Sequence, residues 1–159
     1  MTSKTSLAKS LALAGVIAAS LASLPAFAGE CPADQAGVNA LDGRATEPSG
    51  VTATVLGMID VAKEPAAIEG RQFRMRELVI APGGIVPFHS HADRPALIYV
   101  VKGEVTEYSS DCLVPIVHKA GEVSRETAVV SHWWKNAGSE PVVLISADLL
   151  HDESDANTM

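Results

Sequence analysis

From residue 51 onward the chain alternates short hydrophobic runs with turn-forming clusters. The runs are VTATVLGMI (51–59), QFRMRELVI (72–80), ALIYVV (96–101), EVTEY (104–108), VVSHWW (129–134) and VVLISADLL (142–150). Between them stand APGG (81–84), Gly103, KAGE (119–122) and NAGSEP (136–141). Runs of this length, rich in β-branched and aromatic residues, predict an all-β sandwich or barrel. No long helical period interrupts them, although 60–69 has room for a turn or two. This pattern sets the domain at 51–150. The preceding stretch, CPADQAGVNALDGRATEPSG (31–50), is made of small and turn-forming residues, so 29–50 reads as an N-terminal arm. The tail HDESDANTM (151–159) is polar and acidic and is expected to fray.

The start of the chain follows a different rule. Lys4 and Lys9 precede the uncharged apolar run LALAGVIAASLASL (11–24), and PAFAGE closes it with small residues at Ala26 and Ala28. This order predicts a secretory signal peptide over 1–28, cleaved after Ala28. The apolar run is short for a bilayer span and no basic stop follows it. Glu30 stands before Cys31 where a lipid-anchored cysteine would have a small neighbour. The expected location is the periplasm or the extracellular space, with no membrane attachment after cleavage.

Removing that segment leaves about 130 residues, the size of one domain with one core. The formal charge of −7 becomes more negative once the two lysines are lost. An acidic exported product is a poor partner for nucleic acid or anionic lipid. Cys31 and Cys112 both survive. An even number in an oxidising compartment suggests a disulfide, the alternative being two free thiols.

The chemistry centres on PFHSH (87–91). In an extended segment, residues i and i+2 share a face, so His89 and His91 project side by side. Two neutral imidazoles presented this way can ligate one metal ion. An H-x-H pair alone is a weak signal, but it does not stand alone. Gly83 lies six residues before His89 and Gly103 twelve after His91; Gly121 lies eleven before His132 and Asn136 four after it. Tyr99 falls four before Gly103. Over residues 70–150 these spacings resemble the two cupin motifs, G-x5-H-x-H-x3,4-E-x6-G and G-x5-P-x-G-x2-H-x3-N.

The resemblance implies a cupin-type double-stranded β-helix, a jelly-roll barrel with a metal site inside it. His89, His91 and His132 would hold one divalent ion, with Fe, Mn, Zn, Ni and Cu all open. It also implies a small-molecule ligand or substrate, and it allows a homodimer. The departures from the pattern are specific. The position of the motif glutamate holds Ala96, or Pro95 by the shorter spacing, and Thr127 and Val129 replace the second motif's proline and glycine. Asp93 ranks first among acids that could stand in for the glutamate, followed by Glu104, Glu107 and Glu122.

Residues near the motif carry further expectations. Arg94 either meets an anionic substrate as a bidentate donor or pairs at the surface with Asp93 or Glu104. The gap at Ala96 either leaves room for substrate or marks a site that binds without turning over. With His132 pointing inward, Trp134 should wall the pocket while Trp133 and Tyr99 pack elsewhere. If Phe73 and Met75 face the barrel interior, Arg74 and Arg76 lie outside. His118 and His151 match no motif position and read as surface residues.

A three-histidine set contributes no negative charge, so a bound cation would favour an anionic ligand. The expected function is an exported metal-binding cupin, acting as a dioxygenase-like, metal-dependent enzyme on a small anionic molecule. The alternative is a non-catalytic cupin that binds a metal or small ligand.

Overall fold

The computed structural model describes residues 29–151; the expected export signal and the tail beyond His151 lie outside them. Eight strands follow one another: β1 (Ser49–Asp60), β2 (Gln72–Ser90), β3 (Ala96–Lys102), β4 (Glu104–Ser109), β5 (Ile116–Lys119), β6 (Val123–Glu126), β7 (Ser131–Lys135) and β8 (Val142–Leu150). The one helical element among the described residues is a 3-10 turn at Val61–Lys63, where Asp60 accepts a bond from the Ala62 N–H. All pairings are antiparallel, in the order β5-β4-β7-β2-β8-β3-β6 with β1 on β2. The result is a nearly closed barrel, all-β as the hydrophobic pattern predicts.

The 19-residue β2 positions the site. Residues 72–80 pair with β8 and residues 85–90 with β7, so one strand serves two parts of the barrel. APGG, expected as a turn between strands, is a bend within β2. Gly83 has φ +74°, and a Cβ at Gly84 would lie 2.8 Å from the Ala81 carbonyl oxygen and 2.9 Å from that of Gly50. Only glycine permits both the left-handed backbone and this close approach. β5 and β6, each four residues long, are too short for alternation to announce them.

Leu78, Ile80, Val86, Val100, Val105, Trp134, Val142 and Leu144 form the hydrophobic core. Along β8 the inward residues run Val142, Leu144, Ser146, Asp148, Leu150, so the interior turns polar at Ser146 and Asp148. β2 shows the same change: Ile80 and Leu78 face inward, and so do Arg76 and Arg74. This corrects the expectation for the two arginines, which are 4% and 6% exposed, while Phe73 and Met75 are the outward pair at 47% and 42%. Leu78 and Ile80 fix the phase of the strand, and a buried carboxylate at Asp148 compensates the two cations.

The N-terminal arm is tied to the end of β4. Gly37 N–H donates to Asp111 O, Asn39 N–H to Ser110 O, and Leu113 N–H to Gln35 O. A disulfide joins Cys31 to Cys112 across 81 positions. On the chain-entropy model such a closure stabilises by about 4 kcal/mol.

Candidate metal centre

His89 on β2 pairs across the sheet with His132 on β7, and His91 stands just beyond the end of β2. Their Nε2 atoms form a nearly equilateral triangle: His89–His91 3.1 Å, His91–His132 3.0 Å and His132–His89 3.1 Å. Each Nδ1 is directed at an acceptor. His89 Nδ1 lies 2.9 Å from Pro87 O, His91 Nδ1 2.7 Å from Arg94 O and His132 Nδ1 2.6 Å from Glu107 Oε1. With the ring protons on Nδ1 of His89 and His91, their Nε2 lone pairs meet at the triad, an arrangement that a cation relieves; His132 Nδ1 lies between Glu107 Oε1 and the Trp134 indole N–H, 2.9 Å away.

The edges are short enough for all three nitrogens to reach one ion at bonds of about 2.1 Å. Three protein ligands would leave further positions on such an ion for water or a ligand. Burial first, then the neighbouring His132, holds His89 down at about 2 and His91 at about 4, so both rings are neutral at ordinary pH.

Behind His132 lies a second layer. Glu107 on β4 uses both oxygens, accepting from His132 Nδ1 at 2.6 Å and from His118 Nε2 at 2.7 Å. Glu126 Oε2 is 3.3 Å from His132 Nδ1, and Ser124 Oγ donates to Glu126 Oε1 at 2.6 Å. Burial would raise Glu107, but the bonds from His118 and His132 outweigh it and hold the carboxyl at about 2. Burial keeps Glu126 above the usual carboxylate range, against the pull of His132. Burial opposes charge on His132 as well, yet Glu126 and Glu107 shift it upward on balance. A carboxylate–histidine pair of this kind fixes the ring and increases its basicity as a ligand.

On the Nε2 side a cavity of about 30 Å³ opens beside the triad, walled by Leu78, Val86, Ile98, Trp134 and Leu144 together with Arg76, Arg94 and Ser146. That volume holds an ion with a few small-molecule atoms. Arg94 is 2% exposed, and its Nη1 donates to Asp148 Oδ2 at 2.8 Å. Arg74 forks onto the same carboxylate at 3.0 and 2.7 Å, and Arg76 reaches it at 3.3 Å. Burial would raise Asp148, but the three guanidinium groups keep it below the ordinary range. Burial, then Arg74, lowers Arg76 to about 10, still charged at neutral pH. Three guanidinium groups thus gather on one carboxylate beside the cavity.

The sequence-predicted residues divide accordingly. His89, His91 and His132 come together, and Arg94 and Trp134 line their cavity; the surface alternative for Arg94 is not realised. Ala96 is buried but does not line that cavity. It sits between β6 and β8, paired with Glu126 on one side and Asp148 on the other. A glutamate at 96 would stand between two buried carboxylates, a repulsive arrangement that alanine avoids. The acidic groups of this region are carried by the neighbouring strands. Asp93 is no substitute: it is exposed, pairs with Arg71, and lies 2.9 Å from His151. His118 is not a surface residue. It is fully buried, stacks on Trp134 at 4.7 Å and bonds Glu107. Tyr99 is 45% exposed on the outer face, and Trp133 stacks on Tyr108 at 4.0 Å, away from the triad.

Glu107, Glu126, His118 and Asp148 are the site residues that sequence reasoning passed over or ranked low. Parity carried the signal. Glu107 follows buried Val105 by two, His118 follows Ile116, and Asp148 continues Val142 and Leu144.

Comparisons with known proteins agree with this architecture. The family model described as "Cupin domain" matches residues 76–148. No curated protein matches the chain. Among solved structures, an uncharacterised conserved protein with a double-stranded β-helix domain from Klebsiella pneumoniae is 17% identical, with TM-score 0.52 over 67% of this chain and 84% of that one. KdgF from Halomonas sp. is 11% identical, with TM-score 0.51 over 69% of this chain and 89% of that one. Oxalate oxidase in complex with the substrate analogue glycolate is 21% identical, with TM-score 0.50 over 77% of each chain. Barrel topology, motif spacing and the family model matched over residues 76–148 agree: this chain carries a cupin domain.

Proposed function

We propose that this chain is an exported, metal-dependent enzyme with oxygenase-like chemistry on a small carboxylate. The observation that carries the reading is the shared cavity: three converging Nε2 atoms and the side chains of Arg76 and Arg94 line the same small space. His89, His91 and His132 would hold one divalent ion. When bound, a redox-active metal supplies Lewis acidity and electron exchange with dioxygen. The protein's own part is orientation and charge. Arg94 and Arg76 offer cationic donors to a carboxylate, and the apolar wall of Leu78, Val86 and Leu144 excludes bulk water. Trp134 stands edge-on to His132 at 5.6 Å and limits the size of what can enter. Glycolate in the oxalate oxidase of similar fold is an anion of suitable size.

A non-catalytic binding role is the second reading. It draws on the absence, among the described residues, of any carboxylate lining the triad cavity, where a general base would stand. Anaerobic purification, metal analysis and dioxygen uptake with a panel of small mono- and dicarboxylates decide between them. Uptake by the metal-loaded protein that is lost in Arg94→Met, with metal content unchanged, supports the enzyme. Tight carboxylate binding without uptake for any redox metal supports the binding role.

A further inference from the structure

A second cavity, of about 180 Å³, lies against Glu107 and Glu126, the carboxylates that approach His132 Nδ1. Glu107, Glu126, Asp111 and Glu30 line it with Arg125 and Ser109. Its edge is built by Gly29, Glu30 and Cys31, held in place by the Cys31–Cys112 disulfide and by an ion pair between Arg125 and Glu30. Gly29 has φ +88°, and a Cβ on it would lie 2.7 Å from His118 Nδ1 and 3.1 Å from Glu122 Oε2. Any other residue would be strained in backbone and crowded in side chain at once. Because N and Cβ positions on one Cα are about 2.5 Å apart, the Gly29 nitrogen lies within about 5–6 Å of both atoms.

His118 is the second observation. Its ring is fully buried and its Nε2 bonds Glu107, yet Nδ1 has no hydrogen-bond partner among the described residues. With the proton on Nε2, Nδ1 is an acceptor facing Gly29. Buried acceptors are rarely left without a donor. The surroundings are acidic, and Arg125 is the one cation in the cavity lining.

We infer that removal of residues 1–28 completes this site. The inference rests on the export reading, which places cleavage after Ala28. Water adds across the Ala28–Gly29 peptide bond: the C–N bond breaks, Ala28 leaves as a carboxylate, and the Gly29 nitrogen gains two protons to become an ammonium. That ammonium donates to His118 Nδ1 and pairs with Glu122. A secondary amide has one donor and no charge; the freed amine has three donors and a positive charge, which suits a carboxylate-lined cavity. The chain of contacts then runs from the N-terminus through His118 and Glu107 to His132. The mature N-terminus is thus a positioning group for the metal-facing ring.

The test begins with the full chain exported from a bacterial host and the N-terminus of the recovered protein read by mass spectrometry. A terminus other than Gly29 overturns the cleavage reading. With Gly29 exposed, the comparison is a variant carrying one alanine inserted between Ala28 and Gly29, which moves the amine by about 3.8 Å. The expected results are a hydrogen-bonded His118 Nδ1 by nitrogen NMR only in the Gly29 form, and at least ~10-fold slower acylation of its amine. Zinc affinity should fall about 10-fold on insertion, the low end for loss of an outer-sphere partner. Glu122→Gln, a surface change, should raise amine reactivity without altering the barrel. Identical His118 spectra and equal acylation rates in the Gly29 and inserted forms would overturn the inference while leaving export intact.

Discussion

The two cavities are linked by the His132–Glu107 pair, His132 lining one beside arginines and Glu107 lining the other beside carboxylates. On the Nε2 side, Arg76 and Arg94 line an apolar space of about 30 Å³; on the Nδ1 side, Glu107, Glu126, Asp111 and Glu30 line one of about 180 Å³. One imidazole therefore faces a region suited to anions and, through its other nitrogen, a region suited to cations. The first face is built for a ligand and the second for holding the ring. The arrangement separates what a metal-bound guest would meet from what sets the basicity of the metal's ligand.

The largest break in this comparison comes from the triad. His91→Ala should abolish stoichiometric metal binding, measured by elemental analysis after dialysis, because only two of the three converging imidazoles remain. Asp148→Asn attacks the basic side. It leaves Arg74, Arg76 and Arg94 without their shared anion and should cost about 3–5 kcal/mol in denaturant unfolding, as breaking a buried ion pair does. Glu107→Gln attacks the acidic side. The ring protons of His118 and His132 lose a charged acceptor, and metal affinity should drop about 10–100-fold by competition titration.

The most gradual effect, smallest per unit, is in pH. The depressed pKa values of His89 and His91 mean that below about 6.5 the unfolded chain binds protons that these native rings refuse. Metal-free stability should therefore fall with acidification by about 1.4 kcal/mol per pH unit for each ring. The slope continues until His91 titrates at about 4, and for His89 down to about 2. His132, shifted upward, acts in the opposite sense: its contribution is present below 6.5 and lost as pH rises. A flat metal-free profile between pH 6.5 and 4 would show that the triad is not held neutral by burial.

How much of this was legible beforehand depended on distance along the chain. His89 and His91 are two residues apart on a strand, and fixed glycine spacing places His132, so the triad could be read from position alone. The strands carried by apolar, β-branched runs, β1, β3 and β8, were legible from residue type. The supporting layer was not. Glu107, His118, Asp148 and Arg76 meet the site only through sheet register, and a buried charge looks like a surface charge until its partner is known. Arg74 and Arg76 show how the error arises: Phe73 and Met75 seemed the natural inward pair, but Leu78 and Ile80 fixed the phase. Asp93 failed for the complementary reason, since nearness in sequence to His91 does not bring it inside the barrel. Ala96 could be seen to lack the motif carboxylate, but not that carboxylates flank it on both neighbouring strands.

The cluster of three guanidinium groups on Asp148 also has a consequence for how quickly a guest arrives. The chain as a whole carries a formal charge of −7, so an anion bound for the arginine-lined cavity first crosses a repulsive outer field. Added salt screens that long-range repulsion over a Debye length of about 8–10 Å while leaving the buried contacts little changed. Association of a small carboxylate should therefore quicken as ionic strength rises, with departure from the pocket almost unaffected.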